Sequence, residues 1–150
     1  MKISFFFLCI IFVSSLPQVF AQEQFSALVT KIIDGDSLVV KSGKEFIEIR
    51  LYGIDCPEWD EYYSVEARSH TSSLIYRKTV TVIPQYYDSY GRLVAFLFRD
   101  GLDINGSVVS SGSGWVYKKY CRKKICKNWL IEEELAKKKG RGLWKIMLAD

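Results

Sequence analysis

The sequence predicts a mainly β domain with helices (α+β), organised as a five-stranded barrel with about three helices packed on it. Three observations predict this class. Segments rich in β-branched residues alternate with Gly-containing turns in the first third of the chain, a helical segment follows the third strand, and two more strands precede the last helices. A small β-sandwich with attached helices is the competing architecture.

The first three strands are predicted to form a meander. Two dipeptides, Asp34-Gly35 and Ser42-Gly43, separate them, and Asp-Gly is a strong signal for a hairpin turn. In the third strand apolar and polar residues alternate, so Arg50 is expected to point away from the buried face. The strand patterns cover Phe25–Ile33, Ser37–Lys41 and Glu45–Tyr52.

The remainder of the chain supplies helices and two further strands. Pro84 interrupts the fourth strand, which predicts an edge or a bulge there. A helix after the third of five strands is the order of an OB-type barrel. The predicted elements are a helix from Ser64 to about Tyr76, strands at Thr79–Tyr87 and Leu93–Phe98, a short helix capped by Asp103 or Asn105 that runs to Val109, an extended piece at Trp115–Tyr117, and a helix at Trp129–Lys138.

The composition fits one globular domain that is preceded by a segment of a different kind. The 150 residues are 49% hydrophobic and 25% charged, which is ordinary for a single domain. Lys2 is the only charge in residues 1–21, Ile3–Val13 is a predominantly apolar run, and Ala21 ends a small-residue cleavage pattern. This is the layout of a secretory signal peptide, with residues 22–150 as the mature domain.

We therefore expect an exported protein, periplasmic or secreted after cleavage near Ala21, without stable membrane association. An uncleaved N-terminal anchor is the alternative, although the apolar run is short for a bilayer. Removing residues 1–21 lowers the formal charge from +4 to +3. A mildly basic protein favours polyanionic partners without proving them.

Three cysteines remain after residue 21. Because exported proteins meet oxidising conditions, Cys121 and Cys126 are candidates for a disulfide, which would leave Cys56 as the odd thiol. A zinc site formed by these cysteines and the single histidine is the alternative, although the spacing lacks the usual paired pattern. That histidine, His70, lies on the inward side of its predicted helix. This favours a packed, hydrogen-bonded residue and gives little support to Ser-His-Asp acyl transfer.

The stretch Ile49–Glu58 concentrates polar groups of two kinds. Arg50 supplies a guanidinium, while Asp55 and Glu58 supply carboxylates in a turn that Pro57 makes rigid. A cationic fork beside two acids suits a site that handles a metal ion and a phosphate together.

Two further turns add to this set. The Asp34–Ser37 turn joins the first two strands, so its carboxylates are expected near Asp55 at the ends of neighbouring strands. A few hard oxygens with waters form an arrangement that Ca²⁺ accepts. The turn Asp88–Gly91 delivers Arg92 at the start of the fifth strand. Two arginines that converge on a metal would hold a phosphodiester and stabilise the charge that develops during attack.

Together these motifs resemble the staphylococcal-nuclease-like (thermonuclease, micrococcal nuclease) family, in its exported bacterial branch. The resemblance covers nearly the whole mature chain, from about Ser26 to Trp144, and it rests on several separated motifs in the right order. The motifs are the Asp34–Ser37 turn, Arg50-Leu51, Gly53–Glu58, Asp88–Arg92, Trp115–Cys121 and Gly140–Trp144.

The resemblance implies an OB-fold barrel and a Ca²⁺-dependent, sugar-nonspecific nuclease that uses one Ca²⁺ ion. The implied substrates are single- and double-stranded DNA and RNA, cleaved at the 5′ P–O bond to leave 3′-phosphate ends, and a monomer is expected. Within that implied site, Asp36, Asp55 and the backbone carbonyl of Cys56 would hold the metal. Asp34 would support it from outside, and Glu58 would orient or deprotonate the attacking water.

The resemblance also implies how the substrate is held. Arg50 and Arg92 would bind the phosphate and stabilise the transition state. Tyr90, Trp115 and Tyr117 match positions that pack around the bound nucleotide, where aromatic faces stack on bases without reading their sequence.

A catalytically silent OB-fold module that binds nucleic acid or protein is the alternative function, since folds of this kind are reused without activity. The acidic residues discriminate between the two. Carboxylates at a phosphate site weaken binding unless a cation is present, so the joint presence of Asp36, Asp55 and Glu58 beside two arginines favours the enzyme.

Overall fold

The computed structural model describes residues 23–148, and within them the predicted class is confirmed as a closed five-stranded barrel that carries three α-helices. The predicted signal peptide, residues 1–21, lies outside the described residues. In chain order the elements are β1 (Phe25–Ile32), β2 (Ser37–Ser42), β3 (Glu45–Leu51), β4 (Ile54–Asp55), α1 (Ser64–Ile75), β5 (Thr79–Tyr87), β6 (Leu93–Arg99), β7 (Leu102–Asp103), α2 (Ile104–Ser110), β8 (Trp115–Val116), α3 (Cys126–Lys138) and a final 3-10 helix (Gly142–Leu148).

The barrel closes through one parallel contact. β1 pairs antiparallel with β2 and β5, β2 pairs with β3, and β5 pairs with β6. β3 then pairs parallel with β6, from Ile49 opposite Leu93 to Leu51 opposite Ala95. Because each of these five strands has a neighbour on both sides, the sheet curls into a barrel and leaves none of them at an open edge. The structure is therefore a barrel and not the alternative sandwich.

Alternation along the strands fills the barrel with aliphatic side chains. In β3, Ile49 and Leu51 are buried, whereas Arg50 between them reaches the opposite side, as the alternation predicted. Burying one such aliphatic side chain stabilises the fold by roughly 1.5–3 kcal/mol. The largest fully buried side chains are Leu38, Ile49, Leu51, Ile54, Ile75, Leu93, Leu97, Ile104, Val29, Val40, Val80 and Val82.

Strand β5 contains the predicted irregularity at its proline. The pairing between β5 and β6 shifts register between Pro84 and Tyr86, which confirms the bulge, because proline lacks the N–H that a regular ladder needs. Beyond the bulge, Tyr86 and Tyr87 are exposed. They pair with the start of β6, so they lie beside Arg92.

Buried polar groups tie α1 and α2 to the barrel. The Thr71 hydroxyl donates to the Gly35 carbonyl at 2.6 Å. The Asn105 amide accepts the Leu97 N–H at 3.0 Å and donates to the Tyr52 carbonyl at 3.1 Å. These bonds satisfy groups whose burial would otherwise be costly. Among the described residues, no helix combines the length and the apolar character that crossing a bilayer requires.

His70 lies half-buried on α1, next to the buried positions Ala67 and Thr71. Burial lowers the pKa of His70, and the backbone of Ser107 opposes this effect. Its Nε2 atom is buried without a hydrogen-bond partner in the part of the chain that the structure describes. The side chain is thus packed, as predicted, but its hydrogen bonding is incomplete.

The sequence predicted the start of α2 better than the start of α3. Asp103, one of the two predicted caps, accepts the Gly106 N–H at 3.0 Å at the start of α2. The other oxygen of the same carboxylate accepts the indole N–H of Trp129 at 2.7 Å and so fastens α3 beside α2. The predicted start of α3 at Trp129 is wrong by three residues, because the helix begins at Cys126.

Candidate active site

The turn between β1 and β2 is shaped by its first carboxylate. Asp34 Oδ1 accepts the backbone N–H groups of Asp36 at 2.9 Å and Ser37 at 2.6 Å. These bonds direct Asp36 inward, where its side chain is almost fully buried. Between the two acids, a methyl group on Gly35 would lie 2.7 Å from the Cys56 sulfur, so only glycine lets the two turns approach this closely.

Arg50 joins the carboxylates of two separate turns. One terminal nitrogen of its guanidinium lies 2.8 Å from Asp36 Oδ1, and the other lies 2.5 Å from Asp55 Oδ1. The first nitrogen also donates to the Ile54 carbonyl at 3.0 Å. Pairing of Arg50 with Ser37 across β2 and β3 explains why the side chain reaches the turn. The structure therefore brings together Asp36, Arg50 and Asp55.

Both carboxylates beside Arg50 are hard to ionise. Burial raises the pKa of Asp36 to about 7; the positive charge of Arg50 opposes the rise, and the charges of Asp34 and Asp55 add to it. Burial also raises the pKa of Asp55, again against the effect of Arg50. Buried carboxylates of this kind require cationic partners to remain charged. The centre is thus suited to hold more positive charge than one guanidinium supplies.

The donors at this centre are oxygens. Within residues 23–148, no three Asp, Glu, His or Cys side chains cluster as a metal site, so side chains alone do not make one. The predicted ligand set contains two carboxylates and one backbone carbonyl, at Cys56. The Cys56 thiol is buried, and burial raises its pKa well above the ordinary value, so it remains a neutral thiol. Asp36 and Asp55 fit a hard cation that accepts backbone carbonyls and water.

A second arginine, Arg92, is held in place by the turn that precedes β6. Asp88 Oδ1 accepts the N–H groups of Tyr90 and Arg92 at 2.9 and 3.0 Å, which forms the turn before β6. Asp88 Oδ2 accepts the Arg92 Nε–H at 2.8 Å. The guanidinium lies over the Tyr90 ring, 5.3 Å from its centre. Arg92 and Arg50 line the same cavity, which has a volume of about 450 Å³.

Aromatic side chains surround this cavity, but they are not all the predicted ones. The predicted Tyr90 and Tyr117 line it, and Tyr90 is 84% exposed. Trp115 does not line it, because Trp115 pairs with Asp55 in the short β4–β8 ladder and is half-buried there. Sequence reasoning missed Tyr86 and Tyr120, which complete the tyrosine lining. The sequence signals for them were that Tyr86 lies two residues before the Asp88–Arg92 motif and that Tyr120 lies within the Trp115–Cys121 motif.

Glu58 lies at the surface just after the buried turn. Its side chain is exposed, and its backbone N–H donates to Glu61 Oε2 at 2.8 Å. Within residues 23–148 the Glu58 carboxylate makes no ion pair or hydrogen bond. The structure therefore leaves Glu58 outside the Asp36–Arg50–Asp55 cluster and accessible to solvent.

The remaining cysteines form a disulfide close to the site. Cys121 and Cys126 are bonded to each other, so neither is available to the alternative zinc site. The bridge packs against the turn that carries Asp55, since a methyl group on Gly53 would lie 2.6 Å from the Cys121 sulfur. Gly53 has φ of 69°, which glycine adopts without strain.

Comparison with known proteins assigns this chain to a family. A family model described as "Staphylococcal nuclease homologue" matches residues 48–146. An uncharacterised endonuclease of Haemophilus influenzae is 34% identical over 125 residues, which cover 83% of this chain and 68% of the relative. An uncharacterised endonuclease of Escherichia coli O157:H7 is 33% identical over 117 residues, covering 77% and 74%. The micrococcal nuclease of Shigella flexneri is 28% identical over 144 residues, covering 90% and 80%. The chain belongs to the family of staphylococcal nuclease homologues.

Proposed function

We propose that this protein is an exported, Ca²⁺-dependent, sugar-nonspecific nuclease that cleaves DNA and RNA at the 5′ P–O bond and leaves 3′-phosphate ends. Family membership supports the coarser statement, an endonuclease-type hydrolase that acts on nucleic acid. The observation that carries the proposal is Arg50, which contacts both Asp36 and Asp55 and shares a cavity with Arg92. Arg50 thus connects the two carboxylates to the cavity in which the two arginines would bind a phosphate.

The residues present fit one calcium ion. Asp36, Asp55 and the carbonyl of Cys56 would hold it, and Asp34 would support it by fixing the turn on which Asp36 stands. When bound, the ion polarises a phosphoryl oxygen and offsets the negative charge that gathers there. Asp36 fits this role because a carboxylate that is 5% exposed, with a pKa raised to about 7, gains most from a nearby cation.

The protein's own residues supply the remainder of the mechanism. Arg92 donates its Nε–H to Asp88, which fixes the guanidinium while its two terminal nitrogens remain for phosphate oxygens. Arg50, which lines the same cavity, adds a second positive charge to stabilise the charge that develops on the phosphate. Glu58 is exposed and has no ion pair within residues 23–148, so its carboxylate is available to orient a water and accept its proton.

Binding without sequence preference follows from the tyrosines. Tyr90 and Tyr117 line the cavity, and stacking on an aromatic ring tolerates every base. Trp115, which pairs with Asp55, contributes by holding the backbone of that residue in place and not by lining the cavity. These contacts suit both single-stranded and locally opened double-stranded DNA and RNA, with the protein acting as a monomer.

Export is part of the proposal. Cleavage near Ala21 would release residues 22–150 into the periplasm or the medium, with no stable membrane association. The Cys121–Cys126 disulfide supports this, because disulfides persist in oxidising compartments and are rare in the cytosol.

The proposal is tested by cleavage of single-stranded DNA by the purified mature protein, first with Ca²⁺ and then with excess chelator. We expect cleavage with Ca²⁺, complete loss on chelation, and product ends that carry 3′-phosphates. Cleavage that persists in chelator would overturn the metal assignment. A folded protein that binds DNA without cleaving it would favour the catalytically silent module instead.

Replacing Glu58 tests the mechanism without disturbing the charged cluster. Because the Glu58 side chain is exposed and unpaired within residues 23–148, Glu58→Gln should fold normally and lower kcat by about 10²–10⁴-fold, the usual contribution of a general base. Asp60→Asn, at an exposed position in the same loop, is the matched control and should retain full activity. Equal kcat values for the two variants would remove Glu58 from the mechanism.

A further inference from the structure

The positive charge of this protein is concentrated in one segment. Residues 104–131 contain no Asp or Glu, although the whole chain has 17 of them and 21 Lys and Arg. Removing this segment would leave 15 basic and 17 acidic residues, a net negative chain. The six basic residues of the segment are Lys118, Lys119, Arg122, Lys123, Lys124 and Lys127, and residues 118–127 are called the cationic loop below.

Within residues 23–148, no ion pair neutralises the charges of the cationic loop. All six side chains are exposed. Within the described residues 23–148, the ion pairs involve other cations, namely Arg50, Arg92, Arg99 and Lys137. The nearest acid after the loop in sequence is Glu132, inside α3. A patch of unpaired cations attracts polyanions and releases counterions when one binds.

The cationic loop is held rigidly against the barrel. The Cys121–Cys126 disulfide closes it, and the Arg122 N–H donates to the buried Tyr52 hydroxyl at 2.9 Å. The Arg122 side chain donates from Nε to the Lys119 carbonyl at 2.9 Å. Fixed cations lose less conformational entropy on binding than cations on a mobile tail.

The loop also continues the surface of the candidate active site. Lys119, Arg122 and Lys123 line a cavity of about 320 Å³. This cavity shares two walls, Tyr86 and Tyr120, with the larger cavity that contains both active-site arginines. These two tyrosines therefore lie between the active-site arginines and the three exposed cations of the loop. A chain that leaves the active-site cavity past these rings arrives at the cationic loop.

We propose that the cationic loop is a second nucleic-acid contact, which binds the sugar-phosphate backbone of the strand outside the active-site cavity, beyond the shared Tyr86 and Tyr120 walls. The proposal rests on the nuclease function proposed above and extends it. The active-site cavity then handles the reacting phosphate and its neighbouring bases, while the loop selects for polymer length. The loop therefore strengthens the binding of long strands and has little effect on the cleavage of a dinucleotide, which is too short to reach it.

The test compares two double variants that remove the same charge. Lys119→Gln/Lys123→Gln removes two cations from the loop cavity, and Lys44→Gln/Lys78→Gln removes two exposed cations outside the loop, one in the turn between β2 and β3 and one just before β5. Binding to a 20-nucleotide oligothymidine is measured by fluorescence anisotropy in excess chelator at several salt concentrations. Cleavage of the same strand and of a dinucleotide is measured in Ca²⁺.

We expect the loop variant to lower the salt dependence of binding, log K against log salt, by about 1.4, since each single-strand phosphate contact contributes about 0.7. KM for the 20-mer should rise while kcat/KM for the dinucleotide stays at the wild-type value. The control variant should match the wild type in the salt slope.

Two results would overturn the proposal. One is a loop variant whose salt slope and KM for the 20-mer equal those of the control variant. The other is a loop variant that loses the same factor on the dinucleotide as on the 20-mer, since the loop would then act on the reaction centre. If even the wild type cleaves neither substrate, the nuclease proposal fails, and the salt slope still decides whether the loop contacts the strand.

Discussion

Arg50 holds two carboxylates that belong to different turns of the chain. Its guanidinium reaches Asp36 and Asp55 at 2.8 and 2.5 Å, so removing it would leave one buried acid and one partly buried acid without their cation. The cost of such a change includes lost folding stability and, under the proposed function, lost phosphate binding. For this reason Glu58, which has no such partner within residues 23–148, is the sharper residue for testing the chemistry.

Asp88 provides a pH-dependent prediction. Partial burial raises the pKa of its carboxyl, but hydrogen bonds from Arg92 and from two backbone N–H groups outweigh this effect and lower the pKa. A lowered pKa in the folded state means that the ionised group stabilises the fold at neutral pH. The stabilisation is lost as the pH falls below the ordinary aspartate value of about 3.9.

Asp88→Asn should therefore reduce the free energy of unfolding by about 1 kcal/mol at pH 7 and by less near pH 3, since the stabilisation declines as the pH falls from about 3.9 through the lowered pKa of the folded state. Urea denaturation at the two pH values measures this. Asp100→Asn, whose side chain is 89% exposed, is the control and should show little change at either pH. An equal loss at pH 7 and pH 3 for Asp88→Asn would show that the charge is not responsible.

At the residue scale, the sequence predicted the acids and arginines better than the aromatic lining. Asp36, Arg50 and Asp55 follow from local turn and strand patterns, and the structure brings them together. Tyr86 and Tyr120 lie far apart in the chain and meet at the cavity only after the barrel has formed. No local pattern contains that information. The catalytic and ligand roles of the site residues stay predictions.

Among the elements, the disulfide and its partner glycine form a unit. The Cys121–Cys126 bridge packs on Gly53, and the Tyr117 N–H donates to the Gly53 carbonyl at 2.9 Å. The bridge thus supports the turn that carries Asp55 as well as the cationic loop.

Reduction of this disulfide should lower the stability of the protein by about 2 kcal/mol, the chain-entropy value for so short a loop. We expect a decrease in Tm of about 5–10 °C when the mature protein is melted with reductant. Cys121→Ala/Cys126→Ala should have a lower Tm that no longer responds to reductant. The intact protein should have a mass two hydrogens below that of its reduced form. A free-thiol count of three would contradict the bridge.

The elements that the sequence misplaced are those whose ends are set by distant contacts. α3 begins at Cys126 without a side-chain cap, so the sequence offers no Ser, Thr, Asp or Asn signal at its start. In the short ladder that joins Ile54–Asp55 to Trp115–Val116, the extended piece at Trp115–Tyr117 was predicted, whereas Ile54–Asp55 has only two residues and is too short for alternation to mark it as a strand. By contrast, the five long strands carry clear alternation or turn signals and were predicted nearly to the residue.

For the whole molecule, export remains a prediction that its own experiment can test. Expression of residues 1–150 in a Gram-negative host should yield periplasmic protein whose mass corresponds to residues 22–150, because a short apolar run followed by small residues is cleaved and not retained. Leu8→Arg, which interrupts the apolar run, is the control and should leave uncleaved protein in the cytoplasm. A full-length mass in the membrane fraction would support the uncleaved anchor.

The parallel pairing of β3 with β6 bears on the stage of folding at which, under the proposed function, the protein becomes able to cleave nucleic acid. Arg50 and Arg92 are about forty residues apart in sequence, and they become neighbours only because Ile49 lies opposite Leu93. Contacts between such distant strands are among the slower ones to form, since closing a long loop must precede them. In an incompletely folded chain inside the producing cell, Arg50 and Arg92 are therefore apart and do not bind one phosphate together. Under the proposed function, toxicity to the cell's own nucleic acid begins only when the barrel closes.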